Sequence, residues 1–371
     1  MRRAGTQNCR STAKESFMRE KIPAVVLGAT GTVGQRLVHL LAQHPWFRIV
    51  AVAASDRSAG RPYAEVCRWL LPYALPKHVA PQKVCRLDPK SIPCDRPAIA
   101  FSALPAAVAR EAEPRFAGAG YAVCSNASAF RQQPDVPLLI PEVNPEHLEL
   151  LVRQRATTGW DGLIVTNPNC STTGMVLAIK ALDMAFGLRR ISVTTLQAIS
   201  GAGYPGVASL DLLGNSIPWI PGEEEKLVAE TRLLLGRIVR RERVEADVQV
   251  SAQVNRIPVV DGHSLCLSLG FDRSPTPDDA ADVLRAFRGS ETVQSLPSAP
   301  STPIRVADAI DRPQPRFDLS EDGGMVISVG RIRSCPILDL RMVALVHNTL
   351  RGAAGGAILN AELLAAEGWL K

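Results

Sequence analysis

Ala24-Val25-Val26-Leu27-Gly28-Ala29-Thr30-Gly31-Thr32-Val33-Gly34-Gln35-Arg36-Leu37-Val38-His39-Leu40-Leu41-Ala42 joins a short apolar run to a glycine turn and then to a helical pattern. Strand, glycine turn, helix is the order in which the free N–H groups of a helix start can receive a pyrophosphate. The glycines follow GxxGxxG, a variant of the dinucleotide spacing GxGxxG. Two readings stand for it: a cradle in which Gly28, Thr30, Gly31, Thr32, Val33 and Gly34 meet a cofactor, or a tight turn without ligand. Working outward, residues 48–54 read as a second strand, and residues 98–102 and 121–125 as further strands around a helical stretch at 106–111. Such alternation predicts a Rossmann-like, doubly wound parallel sheet of α/β class.

Ligands bind such sheets at the strand ends, which here carry Ser102, Ser125 and Asn126. The second strand runs into Ser55-Asp56-Arg57-Ser58, where the adenine ribose would lie. An acid there hydrogen-bonds the 2′-hydroxyl of NAD, whereas arginine accommodates the 2′-phosphate of NADP. Ser55, Arg57 and Ser58 favour NADP; Asp56 dissents.

A chain of 371 residues with 46% hydrophobic and 21% charged residues is of globular composition and long enough for two domains. Its net charge of +6 is partly concentrated before residue 20, and no clustered basic module marks a nucleic-acid partner. No apolar stretch is long enough to span a membrane. The eight cysteines, at 9, 67, 85, 94, 124, 170, 266 and 335, form no CxxC pair and no metal-ligand spacing, so reduced thiols in the cytoplasm and no bound metal are expected. Residues 1–20 read as a disordered extension.

Cys170 stands between the strand-like residues 163–165 and the helical residues 175–182, within Asn167-Pro168-Asn169-Cys170. A helix start favours an anion, so a thiol there can titrate below its free value of about 8.5 and act as a nucleophile. A buried, inert cysteine is the other reading. Beyond it the pattern changes to longer alternating strands, residues 191–200 being the clearest, which predicts a mostly antiparallel sheet with helices. Ser200-Gly201-Ala202-Gly203 reads as a loop, and residues 220–230 begin a helix with Glu223 and Lys226 three apart on one face. That acidic first turn is either solvated or functional. His263, after a glycine turn, is either a surface histidine or a general acid/base.

Gly28 to Gly34, Ser125-Asn126-Ala127-Ser128, Asn169-Cys170, Gln197 with Ser200-Gly201, Glu223 with Lys226, Arg256 with His263, and Arg351-Gly352-Ala353-Ala354-Gly355 together resemble the archaeal and fungal-type aspartate-β-semialdehyde dehydrogenases. The likeness runs in order from about residue 22 to the C-terminus, and the separations agree as well as the letters. It implies an NADP-binding domain at 21–168, a catalytic and dimerisation domain at 169–347 like that of glyceraldehyde-3-phosphate dehydrogenase, and a C-terminal helix at 348–371 returning to the first domain. That helix otherwise reads as amphipathic packing.

The implied reaction is reduction of 4-phospho-L-aspartate by NADPH to L-aspartate 4-semialdehyde and phosphate, a step of lysine, threonine, methionine and isoleucine biosynthesis. The resemblance casts Cys170 as nucleophile, His263 as acid/base and Gln197 as the residue orienting the acyl group. Asn169 joins the Cys170 N–H as oxyanion donor. Arg256 would take the α-carboxylate, Glu223 the ammonium, and Lys226, Arg131 and Asn126 the phosphate. Ser200, Gly201 and Asn348 would border the nicotinamide. The expected assembly is a homodimer or homotetramer. Malonyl-CoA reductase, N-acetyl-γ-glutamyl-phosphate reductase and a non-catalytic NADP-binding redox sensor remain as alternatives.

Overall fold

The computed structural model describes residues 20–94 and 99–370. Apart from Glu20, the extension read at residues 1–20 lies outside the described residues.

The first sheet contains β1 (Ile22–Leu27), β2 (Phe47–Ala53), β3 (Ile99–Ser102), β4 (Ala122–Ser125) and β5 (Leu163–Thr166). Their order is β2-β1-β3-β4-β5, and every pair is parallel. These strands are apolar at nearly every position because both faces are covered, the reason their sequences run rather than alternate. Val25, Val26 and Leu27 are fully buried, and such burial contributes about 1.5–3 kcal/mol per side chain. From β1 the chain leaves first to β2 on one side and then to β3 on the other. The crevice between these two crossovers opens at the carboxyl end of β1, where the glycine turn lies.

That turn is shaped by contacts only glycine permits. Gly28 has φ +76°, and a Cβ on Gly34 would lie 2.2 Å from the Gly28 carbonyl oxygen. Helix α1 (Thr32–Leu41) can therefore start directly against β1. Tyr63 donates its hydroxyl to the Ala29 carbonyl at 2.7 Å, and the Gln35 amide donates to the Thr30 carbonyl at 3.0 Å, pinning the turn from behind. Helices α2 (Ala106–Gly118) and α3 (Leu150–Thr158) complete this half.

Helix α4 (Cys170–Phe186) follows β5 after a three-residue turn and is buried along most of its length. It lies across a six-stranded sheet made of β6 (Leu188–Gln197), β9 (Gln249–Arg256), β10 (His263–Phe271), β11 (Ile304–Val306), β12 (Ile327–Ser334) and β13 (Leu340–Val346). The order is β11-β12-β13-β10-β6-β9; the two outermost pairs are parallel and the inner three antiparallel. A separate hairpin, β7 (Arg237–Val239) and β8 (Glu242–Val244), lies against the 3₁₀ segment Pro145–Glu149. Helices α5 (Glu223–Leu235) and α6 (Pro277–Ala286) join α4 on one face of the sheet. The strand expected to reach residue 200 ends at Gln197, because the backbone turns into a 3₁₀ segment at Ile199–Ala202.

The last segment departs from the amphipathic expectation. It opens with a π-helical turn at Leu350–Ala354 and continues as α7 (Gly355–Ala366), in which Ala357 to Ala365 are all buried. Helix α7 lies against α1, β3 and β4. Its polar residues are consumed internally: Glu362 accepts from His44 at 2.7 Å and from the Ser298 hydroxyl at 2.6 Å, and Asn360 donates to Asn167.

Candidate active site

A cavity of about 770 Å³ runs from the glycine turn, at Gly31, Thr32 and Val33, to Cys170, Glu223 and Arg256. At its mouth the Arg68 guanidinium lies 5.0 Å over the Tyr204 ring, joining the two halves of the molecule.

Cys170 is the first residue of α4. Asn169 caps that helix, its Oδ1 accepting from the Ser171 and Thr172 N–H groups at 2.9 and 3.2 Å. Behind the thiol, Gly352 of the π-helical turn comes so close that a Cβ there would lie 2.6 Å from Cys170 Cβ. The buried bidentate pair of Arg351 with Glu142, at 2.8 and 2.6 Å, fixes this turn. The thiol sits 3.3 Å from His263 Nε2. His263 is fully buried, not a surface histidine, and its Nδ1 accepts the Ala198 N–H at 3.0 Å. In the neutral ring the proton is therefore on Nε2, facing the sulfur.

Electrostatics correct one expectation. Burial pushes the Cys170 thiol up to about 12, and the Glu223 carboxylate adds to this; Arg131, the Ser171 N–H and Arg256 pull it down without prevailing. A helix start supplies about 0.3–1 kcal/mol, less than one pK unit, whereas desolvation can shift a buried group by about 3–5 units. His263 is driven the other way, to about 3, by burial and then by Arg256. At rest the pair is a neutral thiol and a neutral imidazole.

Lys226, Glu223, Glu230 and Arg131 form one network through Asn169. Glu223 is 5% exposed, so this member of the acidic first turn is not solvated, while Glu225 beside it is exposed. Its Oε1 accepts from Asn169 Nδ2 at 2.7 Å and Gln197 Nε2 at 3.3 Å, and its Oε2 lies 3.4 Å from Lys226 Nζ. Asn169 thus spends its carboxamide on the helix cap and on Glu223, which leaves its backbone N–H and that of Cys170 to be considered. The former is also taken, by Glu230 at 2.6 Å. Arg256 donates to the Ala198 carbonyl at 2.6 Å and borders the cavity beside Gly201, where a Cβ would stand 2.9 Å from its Nη1 and 3.2 Å from the His263 ring. Arg131 donates to Glu230 at 3.0 Å and to the Asn126 carbonyl at 2.8 Å. The Asn126 side chain accepts from Asn167 at 2.9 Å. Asn348 accepts from the Gly262 N–H at 2.9 Å and donates to Ser200 Oγ at 2.8 Å, linking the His263 turn to the loop over the cavity.

At the other end the residues fit a dinucleotide. Helix α1 has no side-chain cap, and Thr32 Oγ1 is buried without a partner in the described structure. Gly31 lines the cavity, while Gly28, Thr30 and Gly34 shape the turn from behind. Ser102 is fully buried beside Glu113 and does not reach the cavity wall. Ser55 and Arg57 are exposed past the end of β2, with Ser58 half-buried; Asp56 is turned toward Arg86, 3.8 Å away on the surface. Among the described residues no group of three His, Cys, Asp or Glu is placed to hold a metal, and no helix is long and apolar enough to cross a membrane.

Sequence reasoning did not single out Glu230, although it follows Glu223 by two helical turns on the face that buries Leu227 and Leu234. A carboxylate on an apolar helix face was the available signal. Gly352 stands in the sequence only as one residue of the Arg351–Gly355 motif, and its approach to Cys170 depends on a π-turn that residue pattern does not announce.

Residues 23–151 match the NAD-binding domain of semialdehyde dehydrogenases, and residues 179–351 match their dimerisation domain. The chain is 48% identical to the aspartate-semialdehyde dehydrogenase of Archaeoglobus fulgidus, over 92% of this chain and 97% of the relative. It is 47% identical to that of Schizosaccharomyces pombe, over 92% and 98%. A crystal structure of the Candida albicans aspartate semialdehyde dehydrogenase with NADP superposes with a TM-score of 0.86, at 43% identity, covering 94% of this chain and 99% of that one. Domain matches, identity along nearly the whole length and backbone agreement converge: the chain belongs to the aspartate-semialdehyde dehydrogenase family.

Proposed function

We propose that this chain catalyses the NADPH-dependent conversion of 4-phospho-L-aspartate to L-aspartate 4-semialdehyde and phosphate, through a thioester on Cys170. The observation that carries the reading is one cavity in which Cys170 lies 3.3 Å from His263 while Arg256, Glu223 and Lys226 present both charge signs. As the Cys170 sulfur attacks the acyl phosphate, its proton passes to the departing phosphate, the C–O bond to phosphate breaks, and a thioester and monohydrogen phosphate remain. The thiol is neutral at rest, so ionisation belongs to the bound complex, where Arg131 and Arg256 already oppose the effect of burial. Bound NADPH supplies the hydride that reduces this thioester. His263 shares its Nε2 proton with the developing oxyanion and recovers it as the thiohemiacetal collapses to the aldehyde and the Cys170 thiolate; in the opposite direction the same proton is lent and returned.

Recognition divides by charge. The planar fork of Arg256 suits the α-carboxylate. Glu223 meets the substrate ammonium, which takes the place of Lys226 Nζ and releases that lysine toward phosphate. Arg131 and Asn126 hold the phosphate from the other side, and Gln197 orients the acyl group. Asn169 acts as helix cap and spacer, leaving the Cys170 N–H as oxyanion donor. Thr32 and the first turn of α1 receive the pyrophosphate, and Arg57 with Ser55 and Ser58 meets the 2′-phosphate of NADP. Ser200, Gly201 and Asn348 border the nicotinamide; Ser102 supports the strand end beneath it. In domain terms, 21–168 binds NADP, 169–347 holds the catalytic cluster, and 348–371 closes back on the first. A dimerisation domain makes the working form a homo-oligomer, which we take to be a homodimer or homotetramer in the cytoplasm.

The test supplies L-aspartate 4-semialdehyde, phosphate and NADP and follows NADPH absorbance. Turnover is expected; none there, with turnover when malonyl-CoA and NADPH are supplied, would replace the acyl phosphate by an acyl-CoA.

A further inference from the structure

We propose that Glu230 is a positioning residue for phosphate: it sets Arg131 at the place from which that arginine holds phosphate opposite Cys170. The inference rests on the reading of Arg131 as a phosphate residue.

Glu230 lies on α5 and is 1% exposed. Both oxygens of its carboxylate are spent on the catalytic region. Oε1 accepts from Arg131 Nη1 at 3.0 Å, and Oε2 accepts from the backbone N–H of Asn169, immediately before the nucleophile, at 2.6 Å. One carboxylate therefore joins the arginine to the turn that carries the thiol. Two helical turns earlier on the same face, Glu223 grips the Asn169 side chain, so α5 holds Asn169 by its amide and by its backbone. Lys226 projects from the same helix into the same cavity.

Arg131 needs such an anchor. It follows the 3₁₀ turn Ser128–Phe130, beyond β4 of the first sheet, whereas Cys170 begins the helix that packs on the second. A long side chain spanning that gap has several rotatable bonds, and only its partners decide where the guanidinium rests. One terminal nitrogen is fixed by Glu230 and the other by the Asn126 carbonyl. Its Nε is buried with no partner among the described residues. The remaining N–H bonds of the two terminal nitrogens are what Arg131 can offer to the cavity it lines. Packing alone does not call for a carboxylate at 230: its neighbours on the buried face, Leu227 and Leu234, are apolar, and burying a charge costs several kcal/mol before its partners repay it.

The test measures KM for phosphate, L-aspartate 4-semialdehyde and NADP in Glu230→Gln, Arg131→Met and the double variant. Gln keeps the volume and an acceptor for the Asn169 N–H but removes the charge facing Arg131. Glu230→Gln is expected to raise KM for phosphate about tenfold or more, the scale of one charge-assisted hydrogen bond, with the other two constants within about twofold. Glu230→Asp, which keeps the charge one methylene further away, should fall between. In the Arg131→Met background Glu230→Gln should add less than about twofold, because its effect passes through the arginine.

An unchanged KM for phosphate in Glu230→Gln, an equal loss in all three constants, or an undiminished effect without Arg131 overturns the proposal. If Arg131→Met raises KM for phosphate and Glu230→Gln does not, the role of Glu230 fails while the proposed reaction stands. If Arg131→Met leaves it unchanged, the phosphate role of Arg131 fails and this inference with it. Should Glu230→Gln not fold, Glu230→Asp is held to the same criterion: a selective rise for phosphate, or refutation.

Discussion

The two ends of the cavity are made of different material. At the glycine turn the surface offered to a ligand is mostly backbone: the uncapped start of α1, brought close by Gly28 and Gly34 and braced by Tyr63 and Gln35. At the thiol it is side chains from separated parts of the chain, each held by another side chain, as Asn169 is by Glu223 and Arg131 by Glu230. A backbone cradle is destroyed by adding atoms and a side-chain network by removing them. The two ends should therefore fail under opposite kinds of substitution and in different observables.

The largest effect belongs to the side-chain end. Cys170→Ala should lower turnover by about 10⁴-fold or more while leaving NADPH affinity, read by nucleotide fluorescence, within about twofold. Retained turnover would remove the covalent mechanism, and lost NADPH binding would mean that the two ends are not separable. Next comes the backbone end, tested by a single added methyl. In Gly34→Ala the new Cβ meets the Gly28 carbonyl oxygen at 2.2 Å and Ala29 backbone atoms within 3 Å, so α1 must move off β1. NADPH affinity should fall by about 100-fold or more, with a lowered melting temperature, since overpacking of this kind costs about 1–3 kcal/mol or more. Normal affinity would show that the helix start does not carry the nucleotide. The smallest change is the loss of a side chain at that same end. Arg57→Ala should raise KM for NADP about tenfold and leave kcat unchanged, because Arg57 is exposed and its proposed contact is with the 2′-phosphate alone. An NADP-to-NAD preference equal to that of the wild type would assign cofactor choice elsewhere.

The same contrast governs what was legible in the residues. The strand, the glycine turn and α1 are contiguous, so their chemistry appeared as a short pattern with the right context. The strands of the first sheet were legible to within a few residues for the same reason, each being a local apolar run. The catalytic cluster was legible only as agreement of distant separations, and its polarity was misread locally. The helix start beside Cys170 suggested a lowered thiol pKa, but it is raised first by burial, to which the close approach of Gly352 contributes, and then by the charge of Glu223, both remote in the chain. Glu230 and the Arg351–Glu142 pair escaped for that reason too: a charged residue in a helix or a turn looks solvated until the opposing element is known. The C-terminal helix looked amphipathic because Asn360 and Glu362 are polar, yet both are buried with partners from other segments.

The close approach of Gly352 to Cys170 bears on any electrophile aimed at this thiol. With backbone pressed against the Cβ and His263 on another side, the sulfur has one open hemisphere, the one that looks into the cavity. An alkylating group reaches it from that direction, and the remainder of the molecule must lie along a cavity walled by Gly201, Trp219 and Tyr204 and, toward the glycine turn, by Gly31 and Thr32. A selective covalent ligand is thus chosen less by the reactivity of its warhead than by how the tail behind it fits that cavity.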